Sequence, residues 1–240
     1  MLNICLSYVA GKTTLALRLL KHEKDMFSTP FENYYWCLPH GSVPPSSLHS
    51  DFQIHYGVPD GATLPTNSIV FLDDLQHEQG LESQLLHTVH SHHRNLTVVC
   101  LNHSIFPKNN RFHRDQTQST KYMIICKNPR DTQSFFRLAI QLESGGRARS
   151  LYQSYLDACS RPFGYLLCDL TQRVHPALRY RSCLFPDDKE GLCIYASDED
   201  LNRLIQDDPS YEQFSEAIHA LTPSAPLCQQ DEETGSIEHP

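Results

Sequence analysis

The chain is 240 residues long, 40% hydrophobic and 10% aromatic, with a formal net charge of −8. That length holds one sizeable α/β domain plus a modest appendage, and the absence of an apolar run of spanning length argues against a membrane helix. The charge is uneven: from Asp187 onward there are 14 acidic and 2 basic residues, so the tail carries −12 and the preceding body +4, a balance compatible with nucleic-acid contact without demanding it.

In chain order, the first 185 residues alternate in the βαβ manner that predicts a mostly parallel sheet with helices on its faces. "LNICLSYV" (2–9) is a short apolar strand, and "TLALRLLKHEK" (14–24) is a helix ending in cations, which suit a helix C-terminus. "ENYYWCL" (32–38) reads as a strand followed by a Pro/Ser-rich loop at 38–50. "SIVFLDDL" (68–75) is a buried strand closing on two carboxylates, and "LESQLLHTVHSHH" (81–93) is an amphipathic helix. "LTVVCLN" (96–102) is a strand, 108–121 is polar and basic, and "YMIICKN" (122–128) is another strand. Helices at 131–142 and 147–160 lead to a late strand, "FGYLLCDL" (163–170). Beyond residue 191 the texture becomes short amphipathic helices interrupted by Pro209, then a polar acidic end (222–240) with the composition of disorder. The expected division is residues 1–186 as one domain and 187–240 as an acidic, partly disordered extension.

Nine cysteines stand singly with no C-x-x-C pair. That is neither a disulfide framework nor a zinc ribbon and suits a reducing, intracellular setting, nucleus or cytoplasm. The opening residues show no basic leader or small-residue cleavage site, so no secretory signal is read.

The chemistry centres on Gly11-Lys12-Thr13-Thr14 between a strand and a helix. In a phosphate-binding loop, backbone N–H groups and a helix N-terminus surround the phosphates, a lysine reaches the β and γ oxygens, and a hydroxyl ligates Mg²⁺. Lys12 and Thr13 occupy those positions, but the full pattern asks for glycine five residues before Gly11, where Leu6 stands. About sixty residues later Asp73-Asp74 ends a buried strand, the form of a Walker B segment. There Asp73 would hold Mg²⁺ and Asp74 would polarise the attacking water; a strand end followed by a helix cap is the ordinary alternative. Asn102, His103 and Ser104 end the next strand, where a polar group could sense the γ-phosphate or cap a helix. Arg111, Arg114 and Arg130 are arginine-finger candidates. His87, His90, His92 and His93 lack a carboxylate or cysteine to close a metal site, so they read as a helix end rather than a metal centre.

Taken together, "GKTT", "IVFLDDL", "VVCLNHSIFP", "RFHRDQTQSTKYMIICKNPRD", "YLDACSRPFGYLLCDL" and "RYRSCLFPDD" resemble the poxvirus-type genome-packaging ATPases of the FtsK/HerA superfamily, in the version carried by Maverick/Polinton elements. The resemblance spans roughly residues 7–187. It implies a RecA-like P-loop core and a homo-oligomeric ring that uses ATP and Mg²⁺ to move double-stranded DNA into a capsid, with a capsid protein as a further partner. By position it gives Gly11, Lys12, Thr13 and Thr14 to the nucleotide, and Thr13 and Asp73 to Mg²⁺. Asp74 becomes the second Walker B acid, His103 stands in the sensor position, and Arg114 is the finger candidate. Leu6 and "LNHS" depart from the family pattern on the catalytic face. The rival expectation is therefore a copy that keeps the fold and nucleotide or assembly contacts without hydrolysis; a small-molecule P-loop kinase leaves the 127–131 run unexplained.

Overall fold

Strands covered on both faces read as unbroken apolar runs, and two such runs form the middle of the sheet. A computed structural model describes residues 3–7, 11–77, 80–106, 119–189 and 191–212, with backbone alone at 3–7, 92 and 132. Its strands are β1 (Asn3–Ser7), β2 (Asn33–Leu38), β3 (Phe52–Tyr56), β4 (Ser68–Asp73), β5 (Thr97–Asn102), β6 (Tyr122–Cys126), β7 (Tyr165–Asp169), β8 (Tyr180–Ser182) and β9 (Cys193–Tyr195). They form one sheet in the order β3-β2-β4-β5-β1-β6-β7-β8-β9. The first six strands in that order are parallel, and β7, β8 and β9 add on antiparallel. The expected α/β architecture, a mostly parallel sheet flanked by helices, is what the chain forms.

Period-2 alternation sorts the strand residues onto two faces. On one, α1 (Lys12–Lys21) lays Leu15, Ala16 and Leu19 over Trp36, Phe71, Val99 and Leu101. Trp36 stacks on Phe71 at 4.9 Å and 14°, both fully buried; truncating such a ring costs about 3–5 kcal/mol. The other face is shared. Helical residues 81–93 bring Leu86 against Val70, Leu72, Val98 and Cys100. α5 (Thr132–Leu142) and α6 (Gly146–Ala158) cover β6 and β7 with Phe135, Leu138, Leu151 and Tyr155.

Local chemistry moves several boundaries. α1 begins at Lys12 and ends at Lys21, and a separate turn, α2 (Glu23–Met26), follows the break at His22. The 81–93 helix is α3 (Leu81–Leu85), a π turn (Leu86–His90) and α4 (Ser91–His93). The hydroxyls of Thr88 and Ser91 donate back to the carbonyls of Gln84 and His87, both at 2.7 Å, a pattern that loosens regular helical bonding. His87 is buried with Nε2 3.5 Å from the Cys100 sulfur, and burial pushes its pKa down to about 4. Among the described residues no three His, Cys, Asp or Glu side chains gather to hold a metal.

The elements absent from the sequence expectation are β3, β8 and β9. β3 is the outer parallel strand, and four of its five residues are exposed. β8 and β9 extend the sheet past β7, so the chain beyond Asp187 still contributes a strand. α7 (Asp198–Asp207) then packs Leu201 and Leu204 on Ala177 and Ile194. Its N-cap Ser197 accepts from the Asp200 N–H at 3.2 Å, and Arg147 of α6 pairs with Asp200. α7 stops before Pro209, where a single 3₁₀ turn, Pro209–Tyr211, follows. The acidic end at 222–240 lies outside the described residues. Among those described, no helix is long and apolar enough to cross a membrane.

The turn between β8 and β9 also fastens α1. Phe185 packs beneath α1, with the Arg18 guanidinium 4.2 Å from its ring centroid. Arg18 pairs with Asp187 and, at 2.9 Å, with Asp188, while Lys21 reaches Asp187 at 2.8 Å. Asp188 also accepts from the Phe185 N–H at 3.0 Å and from the Tyr165 hydroxyl at 3.4 Å.

Candidate functional site

Parallel strands finish at one edge, so their carboxyl ends bring together residues far apart in sequence. Register pairs Ser7 of β1 with Asn102 of β5, and Leu101 of β5 with Asp73 of β4. The Gly11 helix start, the Asp73-Asp74 strand end and the Asn102-His103 strand end therefore share one edge.

Gly11 is the N-cap of α1 at φ 96°, in the left-handed region that favours glycine. Lys12 follows as the first helical residue and is buried. Its Nζ lies 2.8 Å from His103 Nδ1, and His103 Nε2 lies 3.1 Å from Asp74 Oδ1. A lysine ammonium only donates, so Nδ1 accepts here and Nε2–H donates to the carboxylate. The chain Lys12–His103–Asp74 thus holds the imidazole between an ammonium and a carboxylate. Asp74 reaches this position by leaving β4 at φ 56°, a conformation aspartate tolerates better than most residues. Its N–H still donates to the Leu101 carbonyl at 3.3 Å.

Asp73 faces the α1 side, where the Trp36 indole N–H donates to its Oδ2 at 3.3 Å. Burial raises its pKa, and neighbouring Asp74 adds to the rise; Trp36, Lys12 and His103 pull the other way. Burial thus disfavours the charged carboxylate here, a cost that a bound cation would relieve. A carboxylate and a hydroxyl are the hard oxygen donors Mg²⁺ takes, alongside phosphate and water, so Asp73 and Thr13 fit the expected ion. Thr13 is half-buried and Thr14 exposed on the first turn of α1. Asn102 is buried at the end of β5. Gln76 was not foreseen: its Oε1 accepts from the His103 N–H at 3.3 Å, fixing the backbone beside the imidazole. Its place two residues past the acid pair was the available signal. Trp36, the chain's one tryptophan, gave no such signal, because only strand pairing puts it beside Asp73.

The remaining candidates divide. Arg111 and Arg114 lie outside the described residues. Arg130 is exposed after β6, in a run whose other members build structure. Asn128 is buried, its side-chain oxygen accepts from the Arg130 N–H at 2.9 Å, and its N–H faces the Tyr155 hydroxyl at 3.4 Å. Asp131 is the N-cap of α5, accepting from the Ser134 N–H at 3.0 Å. The "KNPRD" run is, in this geometry, an Asn turn and a helix cap carrying Arg130 outward.

No protein-family model, curated protein or solved structure matches the chain.

Proposed function

We propose that the chain is an ATP-driven double-stranded DNA translocase of the packaging type, built on a RecA-like P-loop core and acting as a homo-oligomeric ring with a capsid protein as partner. The observation that carries this reading is the Lys12–His103–Asp74 chain beside Asp73, which gathers the lysine, sensor and acid positions at the carboxyl edge of a parallel sheet. Phosphoryl transfer is mainly positioning and charge stabilisation. The start of α1 would bind phosphate oxygens through its N–H groups. Lys12 would exchange His103 for the phosphate, and His103 would keep Asp74 aimed at an attacking water. Mg²⁺, held by Thr13 and Asp73, would neutralise charge on the phosphate oxygens. Arg114 would act across a subunit boundary, a role that rests on the family resemblance. DNA would be gripped by its backbone, so affinity should fall steeply with salt.

The test is steady-state ATP hydrolysis with and without duplex DNA, comparing the unaltered chain with Lys12→Ala. Mg²⁺-dependent turnover lost in the variant supports the motor; no turnover above the variant overturns it. One observation favours the second reading, a nucleotide-binding or assembly module without hydrolysis. Leu6, at the position of the first loop glycine, is an extended residue inside β1, paired with Leu101 and Ile124. Nucleotide binding without turnover would select that reading.

A further inference from the structure

The Arg161-Pro162-Phe163-Gly164 segment precedes β7 at the same edge as the site. The Gly164 N–H donates to the Arg161 carbonyl at 3.0 Å, and Phe163 sits at φ 60°. Proline second and a left-handed third residue form the pattern of a type II turn, whose third position ordinarily takes glycine. Phenylalanine there carries a steric cost. The next position is closely packed: a Cβ on Gly164 would lie 2.3 Å from the Ala158 carbonyl oxygen, so it takes glycine.

Burial does not offset that cost: Phe163 is 76% exposed. Its ring stands against the phosphate-loop glycine, with Cδ1 3.4 Å from where a Cβ on Gly11 would be. A strained, solvent-facing aromatic is therefore held beside the start of α1. Two described aromatics near this edge, Trp36 and Tyr165, are by contrast buried and committed to Phe71 and to Phe185.

We infer that Phe163 is a stacking platform for the base of the bound nucleotide, taking a purine ring on its open face. The inference rests on the nucleotide reading of the Gly11–Thr14 site. Aromatic–base stacking supplies affinity that tolerates base identity and is absent for a ligand with phosphates alone. Phe163 would therefore separate ATP from inorganic tripolyphosphate, while Lys12 serves both.

Calorimetric titration of the full chain with Mg²⁺-ATP and with Mg²⁺-tripolyphosphate tests this in the unaltered protein and in Lys12→Ala, Phe163→Gly and Phe163→Trp. Glycine suits the turn, so Phe163→Gly should fold at least as well as the unaltered chain. It is expected to weaken ATP about tenfold with tripolyphosphate unchanged, and Phe163→Trp should retain ATP. Equal ATP affinity in Phe163→Gly overturns the platform. Equal weakening of both ligands also overturns it, showing that the ring only buttresses the loop. If the unaltered chain binds neither ligand, or Lys12→Ala weakens neither, the nucleotide reading itself fails and the platform falls with it.

Discussion

Asp73-Asp74 and Asp187-Asp188 are the same dipeptide in opposite surroundings. The first ends β4 at the inner edge of the site, where burial raises the Asp73 pKa despite Lys12 and His103 nearby. The second lies on the outside of α1, where Lys21, Arg18 and His22 hold Asp187 far below the usual carboxylate range. Charge in the outer pair is matched by cations and fastens a helix. At Asp73 burial outweighs the nearby cations, the condition expected where a ligand completes the electrostatics. The difference separates two positions that residue identity alone does not distinguish.

The sharpest way to break this contrast is Asp73→Asn. Turnover should fall by about 10²-fold or more, while removing a desolvated charge should raise the thermal midpoint by about 2–4 °C. Activity assay and scanning calorimetry read the two effects, and a fall in midpoint would make Asp73 a structural residue like Asp188.

Acid stability provides the next test, and His87 must first be separated from both pairs. Its pKa falls on folding, so the unfolded chain binds a proton more readily, and stability should decline as pH drops from about 6.5 toward 4. That loss should approach about 3 kcal/mol and disappear in His87→Leu, measured by urea unfolding across that range. With His87 removed, the aspartates should show opposite slopes at lower pH. The contribution of Asp187 is present above the ordinary carboxylate pKa and lost as pH falls below it. The penalty on Asp73, whose pKa is raised, is relieved as pH falls through its folded value to the ordinary carboxylate pKa, so its window lies above that of Asp187.

Within the outer pair the two members should differ. Asp188→Ala removes the acceptor for Arg18, Tyr165 and the Phe185 N–H, and should cost about 2 kcal/mol in urea unfolding. Asp187→Ala should produce the smallest change, a slight drop in midpoint that vanishes in concentrated salt, because Asp187 and its partner Lys21 are exposed. A large, salt-resistant drop would remove the distinction.

The parallel half of the fold was legible because its middle strands are written as continuous apolar runs; β4 and β5 fall within two residues of expectation at each end. β3 was missed because an exposed edge strand carries no apolar run: its Gln53 and His55 read as loop residues after a Pro-rich stretch. β8 and β9 have three residues each and exist through pairing with β7 and with each other, which local pattern does not encode. At the site, the residue types at Gly11, Lys12, Asp73, Asp74, Asn102 and His103 were readable from motif and spacing. What connects them was not. The Lys12–His103 contact spans 91 positions, and Phe163 reaches Gly11 only because β7 turns back antiparallel beside β6.

α1 has ten residues, about 15 Å of rigid rod. Its first turn borders the proposed phosphate site and its last turn is pinned to the Phe185–Asp188 corner through Arg18 and Lys21. A rod anchored at one end and pushed at the other is a lever. A ligand that drew Lys12 forward would load that corner, and the same corner joins β8 to β9. On the nucleotide reading, α1 would be the arm that links the site edge to the antiparallel margin of the sheet.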